Sequence, residues 1–258
     1  MIKILCRIVA TALIVLAAPS LRALPLLQLD IKGGTYDTAT ETIMASGNSF
    51  SVYAYGLSGS GGIVLADNFF LSMALVPSTS SAGAYGSFTV NGTTVNVTSD
   101  MTYGTPPLET VLGGAGFDPG DLAAHGIFPT YFAEQRFNFS SGDQSGQYNT
   151  ADHAGWGPQA GTGMYYKKFD FNIAGLAVGH GIHFDLYNES LITACKSSSC
   201  TVGDIDVNKF APFSHDAEGR VVAAVPEPET YAMLIAGLGL MGFVARRRGA
   251  GAALSANG

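Results

Sequence analysis

Gly86-Ser87-Phe88-Thr89-Val90-Asn91-Gly92-Thr93-Thr94-Val95-Asn96-Val97-Thr98 decides the fold. On either side of Asn91-Gly92 apolar and polar residues alternate with a period of two, the pattern of a half-buried strand. Asn-Gly favours a two-residue type I′ turn, because both central positions need positive φ. The segment therefore predicts a β-hairpin. The same alternation recurs in Ser49–Tyr55, and further strands are expected over Asn68–Val76, Tyr131–Phe139, Lys168–Ile173 and His180–Tyr187. Glycines and prolines punctuate the intervals, and no segment between the two ends carries the apolar spacing of a long helix. Short strands with 11 Tyr and 15 Phe to fill a core predict an all-β fold, a β-sandwich of two packed antiparallel sheets. A jelly-roll connection is compatible with the pattern, which does not dictate one.

The chain has 258 residues, of which 47% are hydrophobic and 13% charged, enough for one medium domain once terminal segments are set apart. Between Leu24 and Val225 seven Lys and Arg stand against eighteen Asp and Glu. Such a surface repels polyanions, which argues against a nucleic-acid partner.

The ends carry their own signals. Lys3 and Arg7 precede the apolar run Ile8–Ala18, which has the length of a signal-peptide core and is short for a bilayer crossing. Residues 1–23 are therefore expected to form a signal helix removed near Ala23, although Leu21 departs from the small residue preferred there. At the other end Pro226-Glu227-Pro228-Glu229 is followed by the apolar stretch Thr230–Ala245 and by Arg246-Arg247-Arg248. The prolines exclude a continuing strand. Sixteen residues reach about 24 Å as a helix against a bilayer core of about 30 Å, so a transmembrane helix with the arginines on its cytoplasmic flank is expected, anchoring the protein transiently in the inner membrane. The expected organisation is a signal peptide over 1–23, an extracytoplasmic domain over 24–225, a sorting signal over 226–248 and a disordered tail over 249–258.

The string VPEPET, the apolar stretch and the three arginines resemble the C-terminal signal of PEP-CTERM proteins. That resemblance implies export, recognition of Pro226, Glu227 and Pro228 by an exosortase, and delivery to the cell surface or beyond, where exopolysaccharide, the envelope or other copies of the chain are the expected contacts. The intervening domain resembles the PEP-CTERM proteins labelled choice-of-anchor N, through Gly33-Gly34-Thr35-Tyr36, Leu75-Val76-Pro77, His125–Phe132, His183–Tyr187 and Asp204–Asp216. This second resemblance implies one domain with a shared sorting logic and brings no catalytic residues with it.

Candidate chemistry is sparse. Cys195 and Cys200 are the cysteines left after removal of a signal peptide, and in an oxidising compartment such a pair reads as a disulfide. Asp204, Asp206 and Asn208 alternate with Ile205 and Val207, which on a strand puts three oxygen donors on one face, and Asp216 follows. The order suits calcium, yet Lys209 stands where a calcium loop of the EF-hand type needs Gly and His215 where it needs Glu. A solvated strand face explains the same pattern. His183, Asp185 and Tyr187 share a strand face, with Ile182, Phe184 and Leu186 on the core side; the polar row suits a sugar, an ion or cross-strand hydrogen bonding. Ser214-His215-Asp216 holds the residue types of a catalytic triad, but neighbours on an extended chain point apart. Trp156 lies in a polar, glycine-rich setting where, with Tyr165, Tyr166 or Tyr148, it could stack on a sugar; burial in the core is the competing reading. The irregular interval Thr105–Pro129 reads as an insertion or as the rim of a binding surface. No nucleophile elbow, phosphate loop or zinc-protease motif occurs. The expectation is a non-enzymatic surface protein, against the alternatives of a calcium-stabilised adhesive module and of a carbohydrate hydrolase built on distant carboxylates such as Asp152, Asp185 and Glu189.

Overall fold

The computed structural model describes residues 24–108, 122–193, 203–221 and 232–241. Its strands are β1 (Leu27–Ile31), β2 (Thr35–Asp37), β3 (Thr42–Met44), β4 (Ser49–Leu57), β5 (Phe69–Val76), β6 (Ser87–Val90), β7 (Thr93–Asn96), β8 (Thr102–Gly104), β9 (Thr130–Phe137), β10 (Gln144–Gly146), β11 (Gly163–Asn172), β12 (Gly181–Thr193), β13 (Gly203–Phe210) and β14 (Asp216–Arg220). They form two sheets. The first runs β1-β4-β11-β6-β7 with β10 also on β11, and the second runs β2-β3-β14-β12-β5-β9-β8 with β13 also on β12. Every pairing is antiparallel except that of β14 with β3. The predicted sandwich is what the chain forms.

The decisive hairpin is β6-β7, with Val90 paired to Thr93. Asn91 and Gly92 both take positive φ, 49° and 82°, as a type I′ turn requires. Between the sheets lies a core that includes Leu29, Val52, Leu71, Phe88, Phe169 and Phe184. On β12, Ile182, Phe184 and Leu186 enter this core, so the alternation turns His183, Asp185 and Tyr187 to the other side of the second sheet. They are no solvent-facing row, for all three are buried there, and it is on that covered side that the candidate site lies.

Three expectations about the periphery change. The C-terminal helix spans residues 232–241, about 15 Å at 1.5 Å per residue, half of a bilayer core of about 30 Å. Among the described residues no helix is long and apolar enough to cross a membrane, so the transmembrane helix and the transient inner-membrane anchoring built on it are not supported; the basic flank Arg246–Arg248 lies outside the described residues, as does the motif Pro226–Pro228. The signal helix expected over 1–23 also falls outside them and is no part of the described architecture. Cys195 and Cys200 lie outside the described residues too, and no disulfide exists among those described, so the disulfide is not retained.

Candidate metal centre

Four side chains from three parts of the chain converge on the covered side of the second sheet. His183 and Asp185 come from β12. Asp216 comes from β14, whose register of Ala217 against Phe184 and Glu218 against His183 brings Asp216 alongside Asp185. His125 arrives from the segment before β9, its ring stacked on Phe213 at 4.2 Å and edge-on to Phe128 at 5.6 Å. One donor atom from each of the four lies within 4.8 Å of all the others.

The spacing is compatible with ligands around a cation. His125 Nε2 stands 3.0 Å from Asp185 Oδ1, and His183 Nε2 stands 3.7 Å from both Asp185 Oδ1 and Asp216 Oδ2. Donors bound at about 2.1 Å to a tetrahedral ion would be separated by about 3.4 Å. Close as they are, none of these contacts has hydrogen-bond geometry: His125 Nε2, both nitrogens of His183 and all four carboxylate oxygens of Asp185 and Asp216 are buried without a hydrogen-bond partner. Buried polar atoms are almost always satisfied, so so many orphans in one place require an explanation.

Tautomer and charge sharpen the point. His125 Nδ1 is 3.1 Å from the carbonyl oxygen of Ala123, which can only accept, so Nδ1 carries a proton and neutral His125 presents the bare lone pair of Nε2 to Asp185. A second proton or a metal ion has to lie between them. Glu218 Oε2 is 3.5 Å from His183 Nδ1 and is itself held by Arg220, whose Nε and Nη2 donate to Glu218 Oε1 at 2.9 and 2.6 Å. A carbonyl behind one imidazole and a carboxylate behind the other are the outer partners that metal-binding histidines commonly have. Burial opposes charge on His183, yet Asp185, Asp216 and Glu218 outweigh it and push its imidazole well above the ordinary value. Burial and the neighbouring Asp185 push Asp216 up, while His183 and His125 overcome burial and pull Asp185 down. Without a cation the cluster must take up protons to balance its carboxylates; a divalent ion would supply that charge directly.

Two imidazoles and two carboxylates suit zinc, manganese, iron or nickel, whereas calcium takes six to eight oxygens. The donor set therefore fits a divalent transition metal better than the calcium weighed in the sequence against a solvated strand face. Three of its members were each visible in the sequence, but never as one group. Asp204, Asp206 and Asn208, the strand-face candidates, lie on β13, where Asp206 pairs with Ser190 and Asp204 with Ile192. Five and seven residues beyond Asp185 along β12 is about 16 to 23 Å, so β13 does not bring these two to Asp216. His125 was missed as a ligand, since no local spacing links it to residues 58 to 91 positions later.

A pocket of about 470 Å³ opens beside the centre, with His125, His183, Asp216, Glu218 and Arg220 in its wall. The Ser214-His215-Asp216 run is no triad: Ser214 Oγ meets His215 Nδ1 at 2.9 Å and Asn149 Oδ1 meets His215 Nε2 at 3.0 Å, while Asp216 joins the cluster with His125, His183 and Asp185.

The two residues expected at a sugar surface are separated. Trp156 is 48% exposed and stacks on His153 at 4.0 Å, with Tyr148 at 5.7 Å. Tyr165 instead packs against the inter-sheet core. The loop bearing Trp156 is tied down by Asp30, a buried carboxylate of β1 that accepts from Gly155 N–H at 2.7 Å, Gly157 N–H at 2.9 Å and the Tyr148 hydroxyl at 2.9 Å. Gly155 has φ of 85°, and a Cβ there would run into the carbonyl oxygen of Gly34, so only glycine allows this approach.

Residues 224–248 match the PEP-CTERM protein-sorting motif. The match covers the segment after the sandwich and supports export with exosortase-mediated processing. No curated protein and no solved structure matches the chain.

Proposed function

We propose that the chain is an exported, non-enzymatic surface protein, processed by an exosortase at Pro226–Pro228 and left at the cell surface or outside it as a β-sandwich with a divalent transition metal at His125, His183, Asp185 and Asp216. Its contacts are exopolysaccharide or the envelope, and its body belongs with the choice-of-anchor N proteins. The observation that carries the metal reading is the burial of six potential ligand atoms, His125 Nε2, His183 Nε2 and the four oxygens of Asp185 and Asp216, without hydrogen-bond partners. Four protein ligands, three of them almost wholly buried, favour an ion that stabilises the fold.

The carboxylates weighed for a hydrolase support the same reading. Asp152 is exposed on the loop between β10 and β11 of the first sheet, whereas Asp185 and Glu189 belong to β12 of the second. Those two are four residues apart, about 13 Å along the strand, and Asp185 is engaged by the cluster. Elemental analysis of the full chain from the host's exported fraction tests the proposal. One equivalent of a transition metal in the wild type and little in His183→Ala and Asp216→Ala is expected. A metal-free wild type that is nevertheless folded would overturn it.

A further inference from the structure

We infer that the pocket beside this centre binds a small ligand through a carboxylate, held jointly by the metal and by Arg220; the inference rests on the metal reading above. Three of the four proposed metal ligands, His125, His183 and Asp216, line the pocket wall, and Asp185 does not. An ion at the cluster is therefore met from the pocket side. His183 and Asp216 line the pocket with side chains only 3% and 2% exposed, and their buried unpartnered atoms lie behind that lining, so a buried polar cluster backs the pocket.

The chemistry of the ligand follows from what surrounds the floor. With a metal bound and both imidazoles neutral, Asp185, Asp216 and Glu218 carry three negative charges against the one of Arg220. A divalent ion brings this local sum to zero and gives an anionic oxygen something to bind. Arg220 lines the pocket, spends Nε and Nη2 on Glu218 and is 43% exposed at its side chain, which leaves Nη1 for a ligand. Guanidinium and metal together select a carboxylate over a neutral hydroxyl. Exposed Thr40 and Ser78 stand at the same pocket and can pair with ligand hydroxyls. The volume of about 470 Å³ falls among small-molecule sites, roughly 300 to 1,000 Å³. A sugar acid or a hydroxy acid has this combination of groups.

Calorimetric titration of the metal-loaded full chain with glucuronate and glucose, beside elemental analysis of the same samples, tests the inference. Glucuronate is expected to bind and glucose not. Removal of the metal with a chelator should abolish the glucuronate heat, and Arg220→Lys, with its metal content retained, should weaken binding about tenfold or more. An oligosaccharide ending in glucuronate that binds like the free acid identifies glycan ends as the source; its exclusion while the free acid binds identifies a diffusible acid. Metal present with no glucuronate heat, or glucose binding as well as glucuronate, overturns this inference and leaves the metal reading standing. Absence of metal from the wild type overturns both.

Discussion

At Asp30 one carboxylate organises a loop 125 residues away. Its three donors are buried or partly buried, so removing the acceptor leaves them unsatisfied, at about 1 to 3 kcal/mol each when water cannot enter. Asp30→Ala should destabilise the chain by about 3 kcal/mol in urea unfolding and change the fluorescence of Trp156, whose loop Asp30 holds, with Asp30→Asn milder because one oxygen remains. Glu189 gives a pH signature. Burial and the nearby Glu134 push it up to about 8 from its ordinary 4.5, so between those values the folded state keeps a proton that the unfolded chain releases. Its contribution is whole below about 4.5 and lost as the pH rises toward 8. Urea midpoints of the wild type should fall across that window, and Glu189→Gln should flatten the fall; an equal slope in both would remove the assignment. Single residues were the least legible level of the sequence. Asp30, Glu134 and His125 carry no local pattern, because what defines each of them is a partner brought by the fold.

Elements were far more legible. The β6-β7 hairpin was readable because its turn depends on two adjacent residues and its strands on a period of two. Gly92→Ala, at φ of 82° with open space around it, should cost about 1 kcal/mol through backbone strain alone. β12 was readable by alternation, and Phe184→Ala on its core side should cost about 3 to 5 kcal/mol, checked by the same unfolding curves. The polar face of that strand was identified correctly while its burial was not, since periodicity reports which residues share a face and is silent on what covers it. Short strands such as β2, β3 and β14 escaped, being three to five residues long and held by long-range pairing. The apolar run after Pro228 reads by composition as a bilayer-crossing helix, whereas the described helix has ten residues, with Gly237 and Gly239 weakening it from within.

For the whole molecule, the proposed metal at the His-Asp cluster would tie the stability of one exported module to an ion. Metal binding to the folded and not the unfolded chain stabilises by about 4 kcal/mol at a thousandfold excess of metal over its dissociation constant, so a chelator should lower the melting temperature of the wild type and leave that of His183→Ala unchanged. Mass spectrometry of the mature C-terminus in the host should find Arg246–Arg248 absent from the surface or extracellular form; retention of these arginines there would contradict exosortase processing. The metal is the point on which the account turns. Anomalous diffraction from crystals of the full chain, recorded on either side of the metal absorption edge, should give one peak at about 2.0 to 2.2 Å from His125 Nε2, His183 Nε2, Asp185 and Asp216. A water molecule in that position, with no anomalous signal at any transition-metal edge, would contradict it.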